Sequence, residues 1–176
     1  ALVRFLPDAN EDNPFFWVER QMLRIPFEMV DGKFHEVNGK RREAIVELPC
    51  MQMFGNKCPF LEESKYLWKD EDTKDLARKY YKKRSYILNG LVIEDPQNLG
   101  IDRHTAVRFN LTPQIFNIIK AALMDPDMEE TPVHPEQGRD FRFHKTRKGN
   151  YADYGLSKFA GKERALTDEE KAIEPY

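Results

Sequence analysis

Apolar and polar positions alternate along much of this chain, and the pattern predicts a sheet-rich N-terminal third. Residues 1–6 read as a strand that Pro7 closes, with Asp8-Ala9-Asn10 as a loop. Residues 15–28 are aromatic and long-chain apolar and predict one or two strands. Asp31-Gly32 and Asn38-Gly39 are the strongest hairpin signals, because Gly and Asn take positive φ at little cost. Phe34-His35-Glu36-Val37 lies between them as a short strand, and residues 43–48 alternate after the second turn. Residues 49–60, with Pro49, Gly55 and Pro59, read as a loop. Residues 61–84 are polar, carry few β-branched side chains and predict helix broken near Asp70-Glu71-Asp72.

The period returns to two over residues 85–93, closed by Asp95-Pro96, and again over 105–111. Thr112-Pro113 sets an N-cap and a proline at the first helical position. The stripe of Ile115, Phe116, Ile118, Ile119, Ala122 and Leu123 follows at helical spacing. Residues 139–146 alternate, with Phe141 and Phe143 on one face and Arg142 and His144 on the other. Residues 147–160 read as a loop with two tyrosines. Thr167 caps a final helix start. Many short strands with few helices give an α+β, mainly β class, and an OB-fold barrel with inserted helices fits the pattern. The ends, without an initial Met or a signal segment, read as part of a longer chain.

Composition narrows the classes. The chain has 176 residues, which suits one domain over 1–176. Aromatic residues at 12% argue against disorder. No apolar run approaches the ~20 residues of a membrane helix. Two cysteines do not make a disulfide scaffold.

The formal charge of −2 averages unlike parts. Residues 74–84 hold six cations against Asp75, and residues 139–148 hold five against Asp140. Residues 61–72 and 125–130 are acidic. Both basic blocks are interleaved with aromatics: Tyr80, Tyr81 and Tyr86 around Lys82, Lys83 and Arg84, then Phe141 and Phe143 with Arg142 and Lys145, running on to Tyr151 and Tyr154. Unpaired nucleic acid needs this combination, with cations on phosphates and ring faces on bases. Two blander readings stand beside it: a solvated face for each charge run, and core packing for the two phenylalanines.

Other constellations are thinner. Cys50 and Cys58 flank a loop, with His35 as a third candidate ligand, whereas structural zinc takes four. Asp102-Arg103-His104 and Asp125-Pro126-Asp127 could be drawn as metal-nuclease carboxylates, but both read as turn chemistry. A non-catalytic structural or recruitment module of a replication complex, whose acidic segments around Asp70 and Glu129 meet a partner, is the alternative to a binding protein, and a nuclease the third reading.

Several segments, in order, resemble the core domain of the T-even-like phage single-stranded-DNA-binding proteins. They are Val3-Arg4-Phe5-Leu6-Pro7, Cys50 with Cys58-Pro59, Lys82-Lys83-Arg84-Ser85-Tyr86 through Leu91-Val92-Ile93 to Asp95-Pro96, Arg108-Phe109, Glu130-Thr131-Pro132-Val133, and Tyr151-Ala152-Asp153-Tyr154 with Ser157-Lys158-Phe159. The resemblance implies an OB-fold core that binds single-stranded DNA without sequence preference in phage replication, recombination and repair, in the cytoplasm of an infected bacterium. It puts Arg4, Lys83, Arg84 and Arg108 on phosphates, and Tyr86, Tyr151 and Tyr154 on bases. Lys82, Arg142 and Lys145 join them from the basic blocks. Ile87 stands where the family has an aromatic.

The family also carries a zinc held by one histidine and three cysteines. Cys50 and Cys58 match two of these, Leu61 replaces the third cysteine, and Gln21 falls near the histidine. The expectation is therefore a lost metal and no cofactor. The family's self-association arm and its acidic, replication-protein-recruiting tail have no counterpart in these residues.

Overall fold

In the computed structural model the described residues are 1–27, 29–30, 33–34 and 36–176, with side chains for 1–27 and 36–176. The Asp31-Gly32 turn and the His35 ligand proposed from sequence lie outside them. In chain order the strands begin with β1 (Leu2–Leu6) and β2 (Trp17–Phe27). Two short pairs follow, β3 (Met29–Val30) with β4 (Lys33–Phe34) and β5 (Glu36–Val37) with β6 (Lys40–Arg41), then β7 (Ala44–Pro49). Helices α1 (Pro59–Leu67) and α2 (Lys74–Tyr80) precede β8 (Lys83–Glu94), β9 (Val107–Leu111) and α3 (Pro113–Leu123). The chain continues through β10 (Phe141–Arg142), β11 (Thr146–Lys148), β12 (Tyr151–Asp153), β13 (Lys158–Phe159) and α4 (Asp168–Lys171). The class is α+β, mainly antiparallel β. Among the described residues no pairing closes the strands into a barrel.

The chain forms two compact units, residues 1–19 with 85–176, and residues 20–84. In the larger unit the strand order is β13–β10–β1–β8, with β9 also on β8. β8 is the axis. Its Asn89 and Gly90 pair with Leu6 and Phe5 on one side and with Arg108 and Val107 on the other. At Gly90 a Cβ would stand 2.8 Å from the Arg4 carbonyl oxygen and 3.1 Å from the Phe109 ring, so the three strands close up only on glycine. The core beneath is largely aromatic. Phe5 is fully buried and sits 5.5 Å from Phe141 and 6.1 Å from Phe109 between ring centroids. Ile115, Phe116 and Ile119 of α3 pack into the same cluster. Thr112 and Pro113 hold the predicted cap and first position, though the Thr112 hydroxyl makes no capping bond.

In the smaller unit, β2 pairs with β7 from Met22↔Pro49 to Phe27↔Ala44. Asn38 and Gly39, both at positive φ, turn β5 into β6 as the sequence predicts. The helix break at residues 70–73 is a 3₁₀ turn closed by Asp70, whose carboxylate accepts the Asp72 N–H. Leu23, Ile25, Cys50, Cys58 and Leu61 form the small core.

Three readings change. The helix expected to run on to residue 84 ends at Tyr80, and Lys83 and Arg84 open β8 instead. The loop expected over 147–160 contains a hairpin, β11–β12, and a further strand, β13. Conversely, the alternation at 139–146 yields only a two-residue strand. Phe143 still donates its N–H to the Ala1 carbonyl at 2.9 Å, but beyond it the chain turns away, and the His144 N–H donates to Ser157 Oγ at 3.0 Å.

Arg4 ties the larger unit together. Its side chain is wholly buried, and Nη2 donates to the carbonyls of His134 (2.9 Å) and Arg164 (3.0 Å). Nη1 reaches Asp140 at 3.5 Å. Arg164 then bridges Asp140 (2.8 Å) to Glu170 (2.7 Å), and Glu170 completes a capping box with Thr167. Gly138 faces this guanidinium: an added Cβ would lie 2.5 Å from the His134 oxygen and 2.6 Å from that of Pro132. Gly138→Ala is therefore expected to destabilise the fold by about 2–3 kcal/mol, through overpacking against a buried charge, measurable by urea unfolding.

Burial pushes the Glu170 carboxyl up, but its hydrogen bonds from Arg164 and the Thr167 N–H outweigh this and hold it below the usual range. A carboxylate depressed in the folded state adds stability above its unfolded pKa, about 4.3 for Glu, and loses it as pH falls through the folded value. Glu170→Gln should accordingly lower the melting temperature at neutral pH, and the gap to the parent should shrink below about pH 4.

Candidate nucleic-acid interface

The β11–β12 hairpin is built by its turn. Gly149 sits at φ 61° between Lys148 and Asn150, the glycine-first arrangement of a tight two-residue connection. Register places Lys148 opposite Tyr151 and Arg147 opposite Ala152. Lys145, Arg147 and Lys148 are exposed, and Tyr151 is 81% exposed. These three cations have no acidic partner within 4 Å among the described residues.

The hairpin is fastened at its base. The Gln114 side-chain amide, in the first turn of α3, donates to Asp153, and its oxygen accepts the Tyr154 N–H at 3.4 Å. Thr146 Oγ1 donates to the Asp153 carbonyl at 3.3 Å. The Gln114 amide first, then the Gly155 N–H (3.3 Å), the Thr146 hydroxyl (3.4 Å to Oδ2) and the charge of Lys148 hold the Asp153 carboxyl below its ordinary range. Tyr154 thereby lines a cavity of about 520 Å³ together with Lys145, Phe109, Phe143, Leu111 and Ile115. Phe109 and Phe143 lie near-parallel, 6.2 Å apart. The walls are mostly apolar and aromatic, with Lys145, Asp95, Gln97 and Asn110 among them.

The other residues proposed from sequence divide. Arg4 is a structural residue, not a phosphate contact, because its guanidinium is enclosed and bonded as above. Tyr86 is likewise no platform for a base: it is 9% exposed and stacked on Phe116, 3.6 Å between centroids. Arg142 is exposed and pairs with Glu94 at 3.2 Å. Such a surface pair is worth at most about 1 kcal/mol and exchanges readily for another anion. Arg108 is exposed, its guanidinium 4.4 Å above the Tyr176 ring.

The first basic block lies in the smaller unit up to Arg84, and the second in the larger. Within the first, Lys74, Arg78 and Lys79 pair with Glu71, Asp75 and Glu43. Lys82 donates to the side-chain oxygens of Gln21 (2.6 Å) and Gln52 (2.7 Å). Lys83 is exposed and reaches the Arg78 carbonyl at 3.4 Å. Arg84 is exposed and partnered.

Cys50 and Cys58 are buried side by side. Burial raises the Cys50 thiol. At Cys58 burial is outweighed by the N–H groups of Leu61, Met51 and Phe60 and by Cys50, and the thiol falls below its ordinary value. A zinc site needs four donors, yet among the described residues no three His, Cys, Asp or Glu side chains gather, and Leu61 fills the space with a buried side chain. Of the donors a zinc centre would need, Cys50 and Cys58 are present, Leu61 stands where the resemblance has a third cysteine, and the His35 considered from sequence lies outside the described residues. The carboxylates of the nuclease reading close turns: Asp102 accepts the His104 N–H and the Thr105 hydroxyl, and Asp125 accepts the Asp127 N–H. No helix among the described residues is long and apolar enough to cross a membrane.

Sequence reasoning underrated Arg147 and Lys148 and missed Gln114, Phe109 and Tyr176. The hairpin had a signal, Gly149-Asn150 between short alternating stretches. Gln114 and Tyr176 had none, since each acts through a partner far along the chain.

No curated protein matches the chain. A family model described as gp32 DNA binding protein like matches residues 1–174, nearly the whole length, in agreement with the resemblance seen in the ordered segments. The chain belongs to the gp32-like DNA-binding protein family.

Proposed function

We propose that this DNA-binding chain takes single strands, without strong sequence preference, and that the β11–β12 hairpin and the aromatic cavity beside it are its principal contact. One observation carries this reading: Lys145, Arg147 and Lys148 stand exposed, with no acidic partner within 4 Å among the described residues, next to Tyr151 and a cavity lined by Phe109, Phe143 and Tyr154. Cations of this kind neutralise phosphates. Ring faces and an apolar cavity suit bases that are not already stacked in a duplex. Duplex readers present a helix or ribbon shaped to a groove and reach base edges with polar side chains. The cavity beside the hairpin is walled mainly by rings and aliphatic side chains, and among the described residues no helix or ribbon beside it is shaped to a duplex groove.

Arg142 and Arg108 extend the proposed contact within the larger unit, and Lys82, Lys83 and Arg84 are proposed as DNA contacts of the smaller unit in their own right. Arg142 would exchange Glu94 for phosphate. An OB-type barrel is the architecture proposed for the fold. Roles in phage replication, recombination and repair, action in the cytoplasm of an infected bacterium, contact with replication proteins and self-association along DNA follow from the family and are proposed on that ground.

Affinity for oligo-dT, measured by fluorescence anisotropy, should fall linearly on a log–log salt plot, with a slope of about −0.7 per phosphate neutralised. Equal affinity for a duplex of the same length, or a flat plot, would overturn the reading. Replacing Lys145, Arg147 and Lys148 together with Ala should flatten that slope by about 2 and leave the melting temperature unchanged. Tyr151→Ala should weaken binding by about 1–3 kcal/mol if the exposed ring carries a base, with the slope preserved.

A further inference from the structure

Arg108 and Asn89 face one another across the β8–β9 ladder. Both engage the same distant residue. The Asn89 side-chain amide donates to the Tyr176 main-chain carbonyl at 2.8 Å, and the Ala9 N–H approaches the same oxygen at 3.4 Å. Asn89 is itself 7% exposed, so this anchor is well sheltered. The Tyr176 ring then lies under the Arg108 guanidinium at 4.4 Å. Arg108 has no ion pair among the described residues. A guanidinium stacked on a ring keeps its N–H donors in its own plane, pointing away from the ring and open to an anion. An exposed arginine without such a stack loses rotamer freedom when it meets a phosphate.

We propose that Tyr176 is a positioning residue for DNA binding: clamped through its carbonyl by Asn89, it holds the Arg108 guanidinium flat so that the in-plane donors meet a phosphate. This rests on the single-strand reading above. The ring, not the phenol oxygen, does the holding, and the anchor is main chain, which sets the pattern of variants.

The test is oligo-dT titration of the full chain and its variants at fixed and varied salt. Tyr176→Ala should weaken binding about two- to fivefold, the range an exposed cation–π contact supports. Tyr176→Phe should bind as the parent does, whereas Tyr176→Leu, apolar but without a π face, should resemble Ala. Arg108→Ala should weaken binding and flatten the salt slope by about 0.7, and adding Tyr176→Ala to it should change nothing further. Tighter binding by Tyr176→Ala would overturn the proposal and make the ring a competitor for the arginine. Full additivity of the two changes, or loss of binding in Tyr176→Phe, would also overturn it. Absence of oligo-dT binding by the parent chain would instead overturn the single-strand reading. Far-ultraviolet circular dichroism of each variant separates these outcomes from unfolding.

Discussion

A charge with no access to water governs the larger unit. The Arg4 guanidinium lies on β1, inside the sheet order, with no exposed surface. Leaving such a group unpaired costs several kcal/mol, so the chain around it must deliver acceptors. Residues 134 and 140, from the stretch between α3 and β10, and residue 164, from the stretch before α4, do so. That requirement pulls the irregular chain after α3 back over β1 and sets where β10 begins, one residue after Asp140. It reaches α4 as well, because Arg164 links the shared Asp140 to the Glu170 that caps this helix. The resemblance to the phage proteins put Arg4 on DNA. In the fold this cation works inward, and the outward cations include those of a hairpin that β10 leads into.

The pattern of apolar positions carried most of the architecture. The β1, β8 and β9 strands, the α3 stripe, the Asn38-Gly39 turn and the break at Asp70 all arise from local rules of period, turn chemistry and capping, and all are found where those rules put them. What was not legible is non-local. Tyr86 and Tyr151 look alike in a sequence, each beside a basic run, but Tyr86 points to Phe116 and Tyr151 to solvent. Side-chain direction on a strand depends on register, and register is fixed by partners elsewhere in the chain. Arg4 illustrates the same limit for charge: nothing within five residues of it announces Asp140.

The two basic blocks show how charge counts mislead in both directions. A formal −2 concealed local excess, yet the block with the larger excess is the more neutralised of the two. Lys74 and Arg78 close on acids three residues away, as helical spacing dictates, and Lys79 finds Glu43. The hairpin escapes this because strand geometry sends neighbours to opposite faces and its cross-strand partners, Tyr151 and Ala152, carry no charge. Free positive potential here is a product of secondary structure as much as of composition.

Gly90 has a dynamic corollary. Because β8 is laddered on both edges where β1 and β9 converge on that glycine, its central amides can reach solvent only when neighbouring strands part together. Hydrogen exchange there reports the global opening of the larger unit. The three-residue strands of the β11–β12 hairpin, held at the base by one glutamine, open by themselves at far lower free energy. The molecule thus couples a slow-exchanging spine to a pliant cationic finger, a division that lets the finger change shape without loosening the body that carries it.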